Sequence, residues 1–339
     1  MSENVVVQKI PENLGECIRA ARRVVLATHV SPDGDAYGSV FALATILEQE
    51  GKEVVCYFDE PVSPLYTFLP QPSRIVTDIA EVADFRRSDV ASVTVALDTG
   101  DSARLGRHEQ ELLADAMVLV IDHHRSHKDF GNYRWVDATS SSTGELVYLL
   151  VKQLGYQIPL DAALNLWVAI CTDTGSFRYE NTSPQTLRIA ADLVEQGVHP
   201  DRVAYKIYDN MTLSRFHLLQ KVLQTLEMHA DDQIGMLHVT AAMLDEAGAV
   251  VDDLEGLIDY PRSLKSVAVA VFVKAIKEGV VSVSLRAKGR YDVAAIAEKF
   301  GGGGHRNAAG CRFHDKGIAE VKALVVDEIC CLLAEQKSE

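Results

Sequence analysis

Three ionisable side chains crowd into the string Thr28-His29-Val30-Ser31-Pro32-Asp33-Gly34-Asp35-Ala36. His29, Asp33 and Asp35 are all metal-ligand types, and Pro32 with Gly34 predicts a tight turn that aims them at one point. Asp35 also stands where a helix N-cap is expected, so a capping and a turn aspartate are the competing reading. Three further strings have the same character. Asp98 ends the apolar run from Val93 to Leu97, Asp122-His123-His124 ends the run from Met117 to Ile121, and Asp173 stands where a helical pattern stops. Asp33, Asp35, Asp98 and Asp173 carry four negative charges between them, enough to balance two divalent cations, and His29 and His123 add imidazole nitrogens. Such a mixed set suits Mn²⁺ or Mg²⁺ better than a thiolate-selecting metal. Two such ions ~3.5–4 Å apart share a hydroxide and clamp the attacking and leaving oxygens of a phosphoryl centre. Without them, clustered carboxylates repel one another and their pKa values rise.

These residues need elements that bring them together. A short apolar run from Arg23 to Thr28 reads as a buried strand, and Val40, Leu43, Ile46 and Leu47 then recur at helical spacing up to Gly51. Near-continuous apolar runs alternating with helices point to a parallel sheet covered on both faces. In such a sheet the carboxyl ends of the strands converge on one crevice, where ligands bind. Helices are predicted over about 143–154, 161–172 and 184–196, and 201–229 reads as one long helical connector. Strands at 234–239, 267–273 and 280–285 predict a second sheet, with helices at about 292–299 and 317–335.

Composition narrows the classes. The 339 residues carry 33 Lys and Arg against 48 Asp and Glu, a formal charge of −15, which argues against general nucleic-acid coating. The segment from Pro261 to His314 is the exception: ten basic and three acidic residues give it +7 and leave −22 on the rest, so an anionic partner meets the protein there. No apolar run is long enough to span a membrane, and the first residues show no secretory leader. Six cysteines without a C-x-x-C pair read as free thiols of a reducing cytoplasm.

The spacing His29-x-x-x-Asp33-x-Asp35, with Asp98, Asp122-His123-His124 and Asp173, resembles the four motifs of the DHH phosphoesterase superfamily. The resemblance implies that His29, Asp33, Asp35, Asp98, His123 and Asp173 bind two Mn²⁺ ions (Mg²⁺ or Co²⁺ in their place), with Asp98 bridging. It implies that His124 contacts the scissile phosphate and that Asp122 orients its neighbours. Gly301-Gly302-Gly303-Gly304-His305-Arg306-Asn307-Ala308-Ala309-Gly310 is similar to the signature of the DHHA1 domain, and Ser284-Leu285-Arg286 to a strand whose Arg grips substrate phosphate. Gly302, Gly303, Gly304, His305, Asn307 and Arg286 are thereby candidate substrate-binding residues. Physical chemistry agrees, since glycines let backbone N–H groups approach an anion and His305 and Arg286 supply charge and stacking. Arg104, after the strand-end Asp98, is a further candidate for phosphate, with a surface ion pair as the alternative.

The fold class expected is α/β. A parallel-sheet DHH domain at 1–200 with the two-metal site is joined by a helical linker at 201–230 to a smaller α/β DHHA1 domain at 231–339. Asp98-Thr99-Gly100 and Asp173-Thr174-Gly175 spell the two D-T-G strings of aspartic proteases, yet that class is all-β and this chain alternates. The glycine run lacks the Lys-Ser/Thr of a P-loop. Within the superfamily the lack of further modules and spanning helices implies a stand-alone, cytoplasmic nanoRNase that hydrolyses very short oligoribonucleotides and acts as a 3′-phosphatase on pAp. Enzymes acting on cyclic-di-AMP or pApA are the alternative, and a nucleotide-binding module without catalysis the remote one. Expected partners are short RNA oligonucleotides and nucleotides, with no membrane and no long duplex, and a second copy of the chain as a homodimer.

Overall fold

Val24, Val25, Leu26 and Ala27 are all fully buried, because helices cover both faces of the strand they form. The computed structural model describes residues 10–87, 92–114, 116–209 and 211–335; the first nine, on which the reading of a missing leader rests, lie outside them. The chain divides into two compact units, Met1–Ile207 and Tyr208–Glu339.

The first unit runs α1 (Glu12–Ala20), β1 (Arg23–Ala27), α2 (Gly34–Gln49), β2 (Glu53–Tyr57), β3 (Ile75–Val76), α3 (Ile79–Arg86), β4 (Ser92–Leu97), α4 (Glu109–Leu113), β5 (Met117–Asp122), β6 (Tyr133–Val136), α5 (Thr143–Leu154), α6 (Leu160–Asp173), α7 (Pro184–Glu195) and α8 (Pro200–Tyr208). Its six strands are all parallel, in the order β3-β2-β1-β4-β5-β6. This is a doubly wound sheet whose strand order reverses between β1 and β4. One core, from Leu14 and Leu26 to Phe41 and Leu166, lies under α1, α2, α5 and α6; a smaller one, with Val25, Val55 and Leu112, lies on the other face.

Helix α2 starts at Gly34 because the side chain of Asp33 accepts from the amides of Asp35 and Ala36, 3.0 and 3.1 Å away. Asp33 is therefore the cap, and Asp35, expected at the cap, sits inside the first turn. Where α5 begins, a Cβ on Gly144 would lie 2.5 Å from Ala169 Cβ, so only glycine lets α5 approach α6 this closely.

The second unit contains α9 (Leu213–Leu223), β7 (Glu227–His229), β8 (Ile234–Thr240), α10 (Ala241–Ala247), α11 (Asp259–Ser263), β9 (Val269–Lys277), β10 (Val280–Ala287), α12 (Val293–Lys299), β11 (Gly303–His305), β12 (Ala308–His314) and α13 (Ile318–Glu335). Its sheet has the order β11-β12-β10-β9-β8-β7, with β8 and β9 parallel and the other pairs antiparallel. On β10 Val281, Val283, Leu285 and Ala287 point into a core with α12 and α13, while the residues between them stay half-buried on the other face. The stretch 201–229, expected as one helical run, is two helices followed by a strand. No helix among the described residues is long and apolar enough to cross a membrane.

Candidate metal centre

His29 and Asp98 follow β1 and β4 at the point where the strand order reverses, and Asp122 and His123 come from the end of β5 beside them. Sequence positions far apart thereby meet at one sheet edge. One ligand atom each from His29, Asp33 and Asp98 lies within 4.8 Å of the others; the same holds for Asp35, Asp98 and His123, and for Asp98, Asp122 and His124. Asp98 is common to all three groups. Asp173, at the end of α6, places Oδ2 3.6 Å from His123 Nε2. The six residues expected as metal ligands are thus gathered, and His124 and Asp122 adjoin them.

The imidazoles are oriented by backbone oxygens. His29 Nδ1 donates to the Val30 carbonyl at 2.9 Å and His123 Nδ1 to the Ser140 carbonyl at 3.4 Å. A carbonyl can only accept, so each Nδ1 carries the proton and each Nε2 keeps its lone pair. His29 Nε2 lies 3.4 Å from Asp98 Oδ2, and His123 Nε2 lies 3.5 Å from both Asp35 Oδ2 and Asp98 Oδ1. Imidazole lone pairs facing carboxylates at such distances fit shared cations better than direct pairing.

Asp35 is held by the amides of Thr143 and Gly144 at 2.7 and 2.9 Å and by Ser39 Oγ at 3.0 Å, at the N-terminus of α5. Thr143 Oγ1 also donates to Asp98 Oδ1 at 3.1 Å. Asp122 accepts from His124 Nδ1 at 2.7 Å and, through its other oxygen, from His127 Nδ1 at 2.8 Å. Sequence reading had singled out neither His127 nor Thr143 nor Ser39. His127, three residues beyond the histidine pair, offered a signal; Thr143 offered none, being 108 residues from Asp35.

Burial pushes the Asp35 carboxyl well above the usual carboxylate range, and the charges of Asp98, Asp173 and Asp33 add to it. Asp173 is raised to about 6 by burial, with Asp33 and Asp98 raising it and His123 opposing. Burial raises Asp98 too, but the adjacent His29, His124 and His123 imidazoles outweigh it, and its carboxyl stays far below the usual range. Asp122 is held low in the same way by His124 and His127 against its burial. Burial lowers His123 and His124, yet the surrounding carboxylates win and both sit above the ordinary histidine value. Carboxylates that resist ionising together are the signature of a donor set suited to divalent cations.

The remaining candidates belong to other elements. The side chain of Arg104 is exposed, while its carbonyl accepts from Val30 N at 2.7 Å and so braces the His29 loop. In the second unit Arg286 and His305 flank Ala308 in one cross-strand row. Asn307, in the β11–β12 turn, has a buried Oδ1 without a hydrogen bond. The glycine run, read as an anion-binding segment, is also an edge strand: a Cβ on Gly302 would collide with the Gly310 carbonyl oxygen and one on Gly304 with that of Ala308, whereas Gly303 has open space.

A family model described as the DHH family, N-terminal domain, matches residues 23–172, and one described as the DHHA1 domain matches 236–334. The chain is similar to the bifunctional oligoribonuclease and PAP phosphatase NrnA of Thermus thermophilus, 35% identical over 312 residues covering 90% of this chain and 89% of that one. It is 25% identical to the Bacillus subtilis protein of the same name, over 89% of this chain and 94% of that one. Among solved structures, an exopolyphosphatase-related protein from Bacteroides fragilis superposes with a TM-score of 0.87 at 26% identity, covering 97% of this chain and 100% of that one.

Proposed function

The chain belongs to the DHH family and carries its DHHA1 domain, and on that premise we propose that it hydrolyses very short oligoribonucleotides to mononucleotides and removes the 3′-phosphate of pAp. The observation that best supports this reading is Asp98, common to all three ligand groups in the first unit and set at the reversal of strand order. The proposed ligands of two divalent cations are His29, Asp33, Asp35, Asp98, His123 and Asp173, with Mn²⁺ favoured by the mixture of carboxylate and imidazole. When bound, such ions make a nucleophile of water near neutral pH and neutralise charge on the phosphoryl oxygens.

The chain's own groups divide the remaining work. Asp98, kept ionised by its imidazole neighbours, bridges the two halves of the donor set. His124 keeps Nδ1 on Asp122 and, with its pKa raised, holds a proton for an oxygen that gains charge as the bond to the leaving ribose oxygen breaks. Asp122 and His127 fix the orientation of His124. Arg286, His305, Asn307 and the backbone of Gly302, Gly303 and Gly304 take the rest of the substrate, and Arg104 takes a phosphate on the first domain. In this division of labour residues 1–200 carry the catalytic part and 231–339 the substrate-binding part, with the two helices and the strand of 201–230 joining them in sequence.

The test is hydrolysis by the purified full-length chain of ribonucleotide 2- to 7-mers, pAp, pApA and cyclic dinucleotides, in Mn²⁺ and in EDTA. Mononucleotides released fastest from the shortest oligomers, only with metal, are expected. A preference for cyclic dinucleotides, or no hydrolysis in Mn²⁺, Mg²⁺ or Co²⁺, overturns the reading.

A further inference from the structure

Lys274, Ser282 and Arg312 stand side by side on β9, β10 and β12, because the register pairs Ser282 with both of the others. Four residues along β10 lies the row in which Arg286 pairs with Ala308 and Ala308 with His305. Directly paired residues point to one face of a sheet, and so do residues two apart. Both rows therefore share the face turned away from the Val283–Leu285–Phe313 core. Between them this face carries Ser284, Gly310 and Gly303 on the β10–β12 side and Phe272, buried in a second core with Leu237 and Val239, on the β9 side. At ~3.4 Å per residue the rows are about 13 Å apart. The β10–β12 side of the face thus carries small residues between cations at both ends.

The Lys274 end lacks counter-charge. Every ion pair of this unit among the described residues lies elsewhere. Lys274 Nζ sits 5.9 Å from the centroid of the Phe272 ring. Burial, with Arg286 and Arg312 nearby, pulls its pKa below the ordinary lysine value. A largely buried ammonium in one row with the Arg312 guanidinium, and with no ion-pair partner among the described residues, is costly unless an anion completes it.

We propose that Lys274, Ser282 and Arg312 form a second phosphate subsite, separate from Arg286 and His305, that holds another phosphodiester of the same short oligoribonucleotide. The proposal rests on the oligoribonuclease reading above. Two cations and a hydroxyl donor suit the oxygens of a phosphodiester, and Ser284, Gly310 and Gly303 between the rows on the β10–β12 side leave room for the chain joining two phosphates. Substrates with one internucleotide phosphate would use one of the two cationic rows, and longer ones both.

The experiment is fluorescence anisotropy with labelled ribonucleotide dimers and pentamers, on the full-length chain in EDTA so that nothing is cleaved. Lys274→Met and Arg312→Ala are expected to weaken pentamer binding about fivefold more than dimer binding, and to flatten the pentamer's salt dependence by about 0.7 in the log–log slope. Arg312 is exposed, so its truncation leaves the core intact if the Lys274 variant fails to fold. Lys316→Ala, which removes a lysine paired with Glu320, serves as the control for loss of charge alone. Equal losses at both lengths, or none, overturn the subsite. Variants that show the length-dependent loss, in a protein whose wild-type chain cleaves no RNA in Mn²⁺, overturn the oligoribonuclease reading and leave the subsite standing.

Discussion

At Asp98 the backbone takes φ +54°, a left-handed conformation that costs a non-glycine residue on the order of 1 kcal/mol. The surrounding hydrogen bonds hold it there: its amide donates to the Ile121 carbonyl at 3.0 Å and its carboxylate accepts from Thr143 Oγ1. The role proposed for it predicts that Asp98→Asn, which keeps the shape and loses the charge, lowers kcat by about a thousandfold or more, the equivalent of several kcal/mol of lost charge stabilisation. Circular dichroism checks that the fold is retained, and activity above a tenth of wild type refutes the role. A milder outcome is expected one bond further out. His127→Ala, freeing one oxygen of Asp122, costs about 10–100-fold in activity with substrate affinity little changed, the range typical of groups that orient a ligand.

The same cluster fixes a pH dependence. Asp35, Asp173, His123 and His124 all bind protons more tightly in the folded chain than their ordinary values imply. A raised carboxylate destabilises the metal-free fold progressively from about pH 4 up to its folded pKa, near 6 for Asp173. A raised histidine stabilises it fully below about 6.5 and loses that contribution as pH rises through the folded value. Both signs agree, so the EDTA-treated protein loses stability from this cluster as pH rises. Cations displace these protons, and the increase in Tm given by Mn²⁺ should therefore grow from pH 5.5 to 8. Thermal melts across that range, with and without metal, decide it: a metal effect that shrinks with pH contradicts the assignment.

At the scale of elements, the strands and helices that deliver the ligands were the legible part. β1, β4 and β5 are largely apolar runs because they are covered on both faces; β5 ends on Asp122, Asp98 follows β4 directly and His29 lies two residues past β1. What stayed hidden follows from physics that a linear pattern does not carry. Asp33 rather than Asp35 caps α2, a choice settled by hydrogen bonds within the turn. β11 is a strand despite two glycines of low β-propensity, because at Gly304 the bare backbone fits where a side chain would strike β12. The helical reading of 201–229 failed where α8 and α9 are interrupted before Thr212 caps the second helix. The meeting of α2, α5 and α6 was equally invisible, and it yields a test. Gly144→Ala forces a methyl against Ala169 and should cost about 1–3 kcal/mol of stability while displacing the amide that holds Asp35. Adding Ala169→Gly removes the clash, and the double variant should regain metal affinity even though a helical glycine keeps its stability about 1 kcal/mol lower. Isothermal titration with Mn²⁺ reads this; a double variant no better than the single means the contact does not position Asp35.

For the whole molecule the charge distribution separates two tasks. The segment from Pro261 to His314 carries +7 and the remainder −22, so the protein attracts phosphate on a limited patch and repels it elsewhere. A long polyanion gains little from such a surface, since every nucleotide beyond the patch meets acid, which accords with substrates of a few nucleotides. The proposed function puts recognition in the second unit and the ligand cluster is in the first, so a loss in one should appear in a different kinetic constant from a loss in the other. Arg286→Ala is expected to raise KM about tenfold, to lower the salt slope of binding by about 0.7 for the single phosphate contact removed, and to leave kcat within a few-fold of wild type. The opposite split, kcat collapsing at constant KM, would place Arg286 with the reacting phosphate and require the roles of the two domains to be redrawn. Raising salt from about 50 to 200 mM should then erode the wild-type advantage, because the contribution of Arg286 comes through counterion release and that of Asp98 does not.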